Sequence, residues 1–126
     1  MQDEPTPSEL TEAVADFLRN DIAPLIGGHN AFKLRVAINA LDLVTRQLTL
    51  EQGGDAAESA GLAALLGREG SLLDLNRSLA ERIAAGELDL NTPGLAAHLW
   101  QTTMDKLAVD QPNYAAYKRE LERDGN

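Results

Sequence analysis

Apolar side chains recur at helical spacing in several segments of the chain, and short breaks rich in glycine and proline separate these segments. The first helix is predicted to begin at Thr6, which can cap it, with Pro7 at the first helical position and Glu9 completing a capping box. Its apolar side is formed by Leu10, Val14, Phe17, Leu18 and Ile22. Pro24 and Gly27 end the run.

A second helix is predicted over about 30–51, between two pairs of glycines. Apolar or small residues cover most of its circumference, and its polar residues form one narrow stripe: Arg35, Asn39, Asp42 and Arg46. A helix that is apolar on nearly all sides belongs in the middle of a bundle. We therefore expect this segment to be the central helix.

Four further helices are predicted: over 55–66, over 71–85, over 95–109 with its opening at Thr92 and Pro93, and after Pro112. The small residues of 60–64 favour a close approach between helices, and strand-like alternation is missing from the chain. The predicted fold is all-α, a single compact bundle of five to six helices around the segment at about 30–51. We expect one helical domain over 1–126, with frayed ends at 1–5 and 123–126.

Charge and composition narrow the classes of function. The chain has 11 basic and 20 acidic residues, giving a formal net charge of −9, and it contains no cysteine. This balance argues against nucleic acid and against an anionic membrane as partners, because both attract lysine and arginine. The N-terminal segment lacks a secretory signal and no apolar run reaches the ~20 residues of a membrane span, so we expect a cytoplasmic protein.

A lysine and an aspartate interrupt an otherwise apolar face of the fifth predicted helix. Leu95, Leu99, Lys106 and Asp110 fall within about a quarter of its circumference, and the two charged residues are four positions apart. Because an unpaired buried charge is costly, the two are expected to pair with each other. We favour an ion pair that closes the helix, and the alternative is a poised charge that lines a pocket.

Two further polar features allow more than one interpretation. The stripe Arg35, Asn39, Asp42 and Arg46 is either the solvated side of its helix or the wall of a groove for a phosphate- or carboxylate-bearing ligand. Asn76 lies among leucines on the inner face of its helix and must find a hydrogen-bond partner, most commonly a backbone carbonyl or a neighbouring polar side chain.

Motifs of catalysis are missing. His29 and His98 do not have the spacing of a zinc site, the glycine-containing loops lack the phosphate-binding pattern, and no nucleophile with its base can be named. We therefore expect no metal and no cofactor, and the sequence offers no positive evidence for enzymatic activity.

With its helices placed, the sequence resembles a bacterial family of small uncharacterised proteins. The resemblance is carried by the segments EPTPSELTEAVADFLRNDIAPLI, AFKLRVAINALDLVTRQL, LNRSLAERIAAGELD and MDKLAVDQPNYAAY. The family's polar pattern corresponds here to Arg35, Asn39, Asn76, Lys106, Asp110 and Pro112. The resemblance implies a stand-alone helical domain encoded beside, and sometimes fused to, aminoglycoside-phosphotransferase-like kinases, with acyl-CoA dehydrogenase genes nearby.

Three hypotheses of function follow. The first is a non-catalytic interaction or accessory domain that docks on a kinase-like phosphotransferase in acyl-CoA or related small-molecule metabolism. The second is a protein that binds a small anionic molecule, or a weak enzyme, with a pocket between the second, fourth and fifth predicted helices. In the third, the surplus apolar surface of the second helix is buried in a homodimer.

Overall fold

The computed structural model describes residues 3–126 as an all-α chain. In chain order, its elements are α1 (Pro7–Phe17), a π-helical turn (Leu18–Ile22), a 3-10 turn (Ala23–Leu25), α2 (Gly28–Leu66), α3 (Leu72–Ala84), α4 (Leu95–Asp110) and α5 (Ala115–Asp124). Residues 3–126 contain no strand, so the predicted all-α fold is confirmed.

The start of α1 has the predicted capping box. The Thr6 hydroxyl accepts a hydrogen bond from the Glu9 backbone amide at 3.3 Å, and the Glu9 carboxylate accepts one from the Thr6 amide at 2.7 Å. These two bonds satisfy amides that would otherwise have no partner at the helix start. Of the end predicted to fray at 1–5, residues 1–2 lie outside the described part of the chain.

The single long helix α2 replaces two predicted helices. It continues through Gly53 and Gly54, where we expected a break, and it ends at Gly67. Glycine costs about 1 kcal/mol inside a helix, but a helix stops only where the backbone leaves helical geometry. Gly67 does so, with φ of 69°, and its amide bonds to the Ala63 carbonyl at 2.8 Å. The prediction of separate helices over 30–51 and 55–66 was wrong for this reason.

The chain divides into two compact units at Glu51 and Gln52. The first unit contains α1, the two turns and the beginning of α2, and the second contains the end of α2 with α3, α4 and α5. The prediction of a single domain over 1–126 stays a prediction.

The first unit is a helical hairpin with little buried surface. The hydroxyls of Thr11 on α1 and Thr45 on α2 share a hydrogen bond of 2.7 Å, and Ala15 and Ile38 are the residues of this unit that are buried, among those described. The segment over 30–51 was expected to be enclosed on nearly all sides. Instead, much of its apolar surface is exposed, because α1 is the one long helix within this unit that can cover it.

The second unit has a leucine core. Its members come from α2, α3, the loop after α3 and the start of α4: Leu62, Leu75, Leu79, Leu88 and Leu95. Helix α3 contributes through the face predicted from its sequence, and the Ser71 hydroxyl caps it by accepting from the Asp74 amide at 3.2 Å. Leu62 and Leu75 are 0% exposed, so this unit buries side chains completely.

The chain turns tightly before α4. Gly94, with φ of 86°, precedes α4, and the Thr92 hydroxyl accepts a hydrogen bond from the Asp89 amide at 2.9 Å in the preceding turn.

The chain remains helical close to its C-terminal end, where we expected fraying over 123–126. Arg123 lies within α5 and forms an ion pair with Glu120 at 2.9 Å, and the fraying stays a prediction.

Candidate functional site

Three helices of the second unit meet at the carboxylate of Glu58. The Glu58 side chain lies on α2 and is 12% exposed. Asn76, on α3, donates a hydrogen bond from Nδ2 to Glu58 Oε1 at 2.8 Å, and Lys106 Nζ, on α4, lies 3.7 Å from the same oxygen. We call Glu58, Asn76 and Lys106 the polar junction. It joins the three helices beside the leucine core.

Close packing of α4 against α2 positions this junction. The imidazole of His98 lies directly over Gly61, where a Cβ would be 2.9 Å from Cε1 of the ring and closer still to Nδ1. Glycine at this position therefore lets α4 approach α2, as the small residues of 60–64 predicted, and that prediction is confirmed at Gly61. Glu58 is three residues before Gly61 and so lies on the same side of α2.

Lys106 does not form the predicted buried pair with Asp110. Its side chain is 69% exposed and its partner is Glu58, while Asp110 is exposed at the end of α4. The buried side of α4 instead runs through Leu95, His98 and Thr102, about 60° around the helix from the predicted face. The apolar residues alone misplaced this face, because half-buried His98 and Thr102 belong to it.

Asn76 is satisfied in the way the sequence analysis favoured. It is half-buried, and its amide binds a neighbouring polar side chain, that of Glu58. Glu58 itself was missed as a member of the site, since it lies at the start of what was predicted to be a separate helix over 55–66. The useful signal was the unsatisfied amide of Asn76, which required an acceptor on a facing helix.

The first unit has its own ionic contact, between α2 and the π-helical turn. The Arg19 guanidinium bonds to Asp42 at 2.5 Å and to Asp16 at 2.9 Å. The hydrogen bond and the charge of Asp42 raise the pKa of Arg19 above its ordinary value. Asp42, a member of the predicted stripe, is therefore bound by Arg19 of the π-helical turn.

The remaining predicted site residues divide between the two units. Arg35 and Asn39 are exposed and Arg46 is half-buried in the first unit, whereas Asn76, Lys106 and Asp110 belong to the second. The pocket between the second, fourth and fifth predicted helices stays a prediction.

The first unit exposes many large apolar side chains. Eleven are found along its helices and turns: Leu10, Val14, Phe17, Leu25, Ile26, Phe32, Val36, Leu43, Val44, Leu48 and Leu50. Single exposed leucines are normal, but apolar residues that share one face mark an interaction surface.

The Arg19–Asp42 bond fixes the polar side of the hairpin. Arg19, in the π-helical turn that continues α1, lies on one side of the line of contact with α2. The α1 row Leu10, Val14 and Phe17 lies about 100° away from that line on the other side. On α2, Val44 and Leu48 lie on the side of that line opposite to Asp42. The two apolar rows therefore share the face opposite the ion pair, which we call the open face: Leu10, Val14, Phe17, Val44 and Leu48.

A second apolar row faces away from α1. It consists of residues of α2 spaced by four and seven positions, which we call the outer stripe: Phe32, Val36, Leu43 and Leu50. Asn39 lies between Val36 and Leu43 along the edge of this stripe, and Arg46 lies between Leu43 and Leu50. It is about half a turn of the helix away from Ile38, which packs toward α1.

Two features of residues 3–126 bear on metal binding and on membrane insertion. No three histidine or acidic side chains in that range are grouped as metal ligands would be. Nor does any helix in that range combine the length and the hydropathy that crossing a bilayer demands.

Comparisons with known proteins give one result. No curated protein and no solved structure matches the chain. A family model described as a domain of unknown function, DUF6285, matches residues 24–114, a range that contains α2, α3, α4 and the whole polar junction. Because the match covers well over half of the sequence, the chain belongs to the DUF6285 family.

Proposed function

We propose that the protein is a non-catalytic interaction domain that binds a partner protein through the outer stripe of its first unit. The observation that carries this proposal is the exposure of four large apolar side chains along one line of α2. Leaving such a row in water is unfavourable, at roughly 25 cal/mol for each Å² of apolar surface. A partner that covers the row recovers that free energy.

The spacing of the outer stripe suits a groove on the partner. Phe32, Val36 and Leu43 lie at the i, i+4 and i+11 positions of one helix face, which is how amphipathic helices present anchors to an apolar groove. Arg35 and Asn39 are exposed beside these anchors. We therefore expect a groove with an apolar floor and an acidic or hydrogen-bonding rim next to Arg35.

The partner that we propose is a kinase-like phosphotransferase, acting in acyl-CoA or related small-molecule metabolism in the cytoplasm. Its identity rests on the resemblance described from the sequence. The role of an accessory domain agrees with the chemistry of the polar junction, where the donors of Asn76 and Lys106 both bind Glu58.

We rank the hypothesis of an anionic-ligand site second, because Asn76 and Lys106 already bind the Glu58 carboxylate. An anion that bound to Asn76 and Lys106 must displace, or lie beside, the Glu58 carboxylate, which carries the same charge as the ligand. Titration with inorganic phosphate, followed by calorimetry, tests this alternative. Saturable binding that Lys106→Met abolishes would favour a ligand site over an accessory domain.

Co-purification tests the proposed function. The tagged chain is expressed with an aminoglycoside-phosphotransferase-like kinase from the same genome, and we expect the two proteins to elute together in a fixed ratio. The double variant Val36→Glu, Leu43→Glu places two carboxylates in the outer stripe, and it should lower the affinity at least a hundredfold. Val44→Glu, on the open face, is the matched control and should retain the kinase. Absence of any complex for the unmodified chain overturns the proposal.

A further inference from the structure

The open face of the first unit is apolar, two helices wide and separate from the outer stripe. Its α1 row and its α2 row are both exposed, with Phe17 53% and Leu48 43% accessible. The ionic contacts of Arg19 lie on the opposite side of the hairpin and leave this face free of charge along its middle. A hairpin with one polar and one apolar face is half of a four-helix bundle.

Side-chain size along α2 indicates which occupant fits the open face. Ala37 and Ala40 form the N-terminal half of the α2 row, and Val44 and Leu48 form its C-terminal half. One half is therefore shallow and the other protrudes. An identical helix that runs in the opposite direction sets the large side chains of each copy against the alanines of the other, which is the packing that interdigitated helices require.

The charges at the two ends of the same row select the same arrangement. Lys33 lies at the N-terminal end and Glu51 at the C-terminal end, and both are exposed. In an antiparallel pair of copies, Lys33 of each copy lies beside Glu51 of the other. In a parallel pair, lysine would face lysine and glutamate would face glutamate, which is repulsive.

We propose that the open face binds a second copy of the chain, and that two hairpins related by a two-fold axis form an antiparallel four-helix bundle. The axis passes close to residue 42 of α2, midway between Lys33 and Glu51. In this arrangement the interface is self-complementary in shape and in charge. The outer stripe of each copy remains accessible to the partner proposed above.

Light scattering after size exclusion tests the dimer. We expect a mass twice the 13.6 kDa of one chain. Val44→Glu places a carboxylate in the middle of the interface in both copies and should weaken dimerisation by about a hundredfold or more. Leu43→Glu is the matched control, because Leu43 has a similar exposed fraction but lies on the outer stripe, and this variant should remain dimeric.

A charge exchange tests the direction of the pairing. Lys33→Glu alone should raise the dimer dissociation constant about three- to tenfold, because two rim contacts become repulsive. Adding Glu51→Lys restores opposite charges and should return the constant to its original value. Far-UV circular dichroism confirms that each variant remains helical. A monomer at all concentrations, a dimer that Leu43→Glu breaks and Val44→Glu does not, or a double variant without rescue would each overturn the proposal.

Discussion

The two ends of helix α2 lie in contrasting surroundings. In the first unit, residues 28–51 bury Ile38 and leave apolar side chains on both the open face and the outer stripe. In the second unit, residues 52–66 supply Leu62 to a completely buried core and Glu58 to a polar junction that has its partners within the chain. The second unit therefore has a buried leucine core and an internally paired polar junction, whereas the first leaves most of its large apolar side chains exposed.

This difference distinguishes the residues that hold the second unit together from the residues that we propose bind partners. In the second unit, the described buried side-chain nitrogen and oxygen atoms all have hydrogen-bond partners, and the polar junction holds three helices together. In the first unit, the notable feature is exposed apolar surface. Substitutions should therefore affect stability in the second unit and association in the first.

The largest loss of stability is expected from Leu75→Ala in the core of the second unit. Leu75 is 0% exposed, so the variant loses its transfer free energy and leaves a cavity, at a cost of about 2–5 kcal/mol. Urea denaturation followed by circular dichroism measures the change. Leu73→Ala, on the same helix with Leu73 69% exposed, is the control and should cost less than about 0.5 kcal/mol. Equal effects would contradict the placement of the core.

A smaller loss is expected from Gly61→Ala, because the new methyl group overlaps His98. Nδ1 and Cε1 of the ring would both lie within 3.0 Å of the new Cβ, so the half-buried imidazole must move, and overpacking of this kind costs about 1–3 kcal/mol. In a His98→Ala background the same substitution should stabilise, since alanine is the better helix former by about 1 kcal/mol. A double-mutant cycle in urea measures this coupling, and additive effects would show that the two residues do not touch.

The polar junction should depend more on Glu58 than on Lys106. Glu58→Ala leaves the half-buried Asn76 amide without its acceptor, and the expected cost is about 1–2 kcal/mol. Lys106→Met removes a largely exposed ion pair and should cost less than about 0.5 kcal/mol. Thermal denaturation compares the two variants. If Lys106→Met is the more destabilising, the lysine has a role that its exposure does not explain.

The smallest effect is expected from Arg19→Ala in the first unit. The pKa of Arg19 is raised by its contact with Asp42. The guanidinium is therefore charged at neutral pH, and the contribution of this ion pair to folding stability is fully present there. It would be lost only as the pH rises through that high pKa, and ionic strength is therefore the practical probe. We expect a slight decrease in melting temperature at low salt that disappears at 1 M salt. A decrease that persists at high salt would indicate packing instead of charge.

The sequence predicted local signals well and long-range ones poorly. The capping box at Thr6 and the helix over 71–85 follow from neighbouring residues, and the structure contains both. The pair Gly53–Gly54 misled us because glycine permits a break without requiring one. Helix α2 contacts α1 before the two glycines and contributes to the leucine core after them, and a helix packed in this way can continue through two glycines.

The polar junction shows where sequence reasoning stops. Periodicity placed Asn76 on an inner face and identified its need for a partner, but only the packing of α2 against α3 reveals that Glu58 accepts its hydrogen bond. For Lys106, sequence reasoning identified the residue but assigned Asp110 as its partner in place of Glu58. A lysine side chain is long enough to reach from the edge of a helix face, so its position on a helical wheel does not settle its burial.

Hydrogen exchange along α2 at two protein concentrations tests the contrast between the units most directly. We expect the amides of residues 36–48 to exchange several-fold more slowly in concentrated than in dilute protein, because association covers the open face. The amides of residues 58–66 should exchange at the same rate at both concentrations, since their packing is internal. Exchange that is independent of concentration in both segments, or a change confined to residues 58–66, would contradict the account.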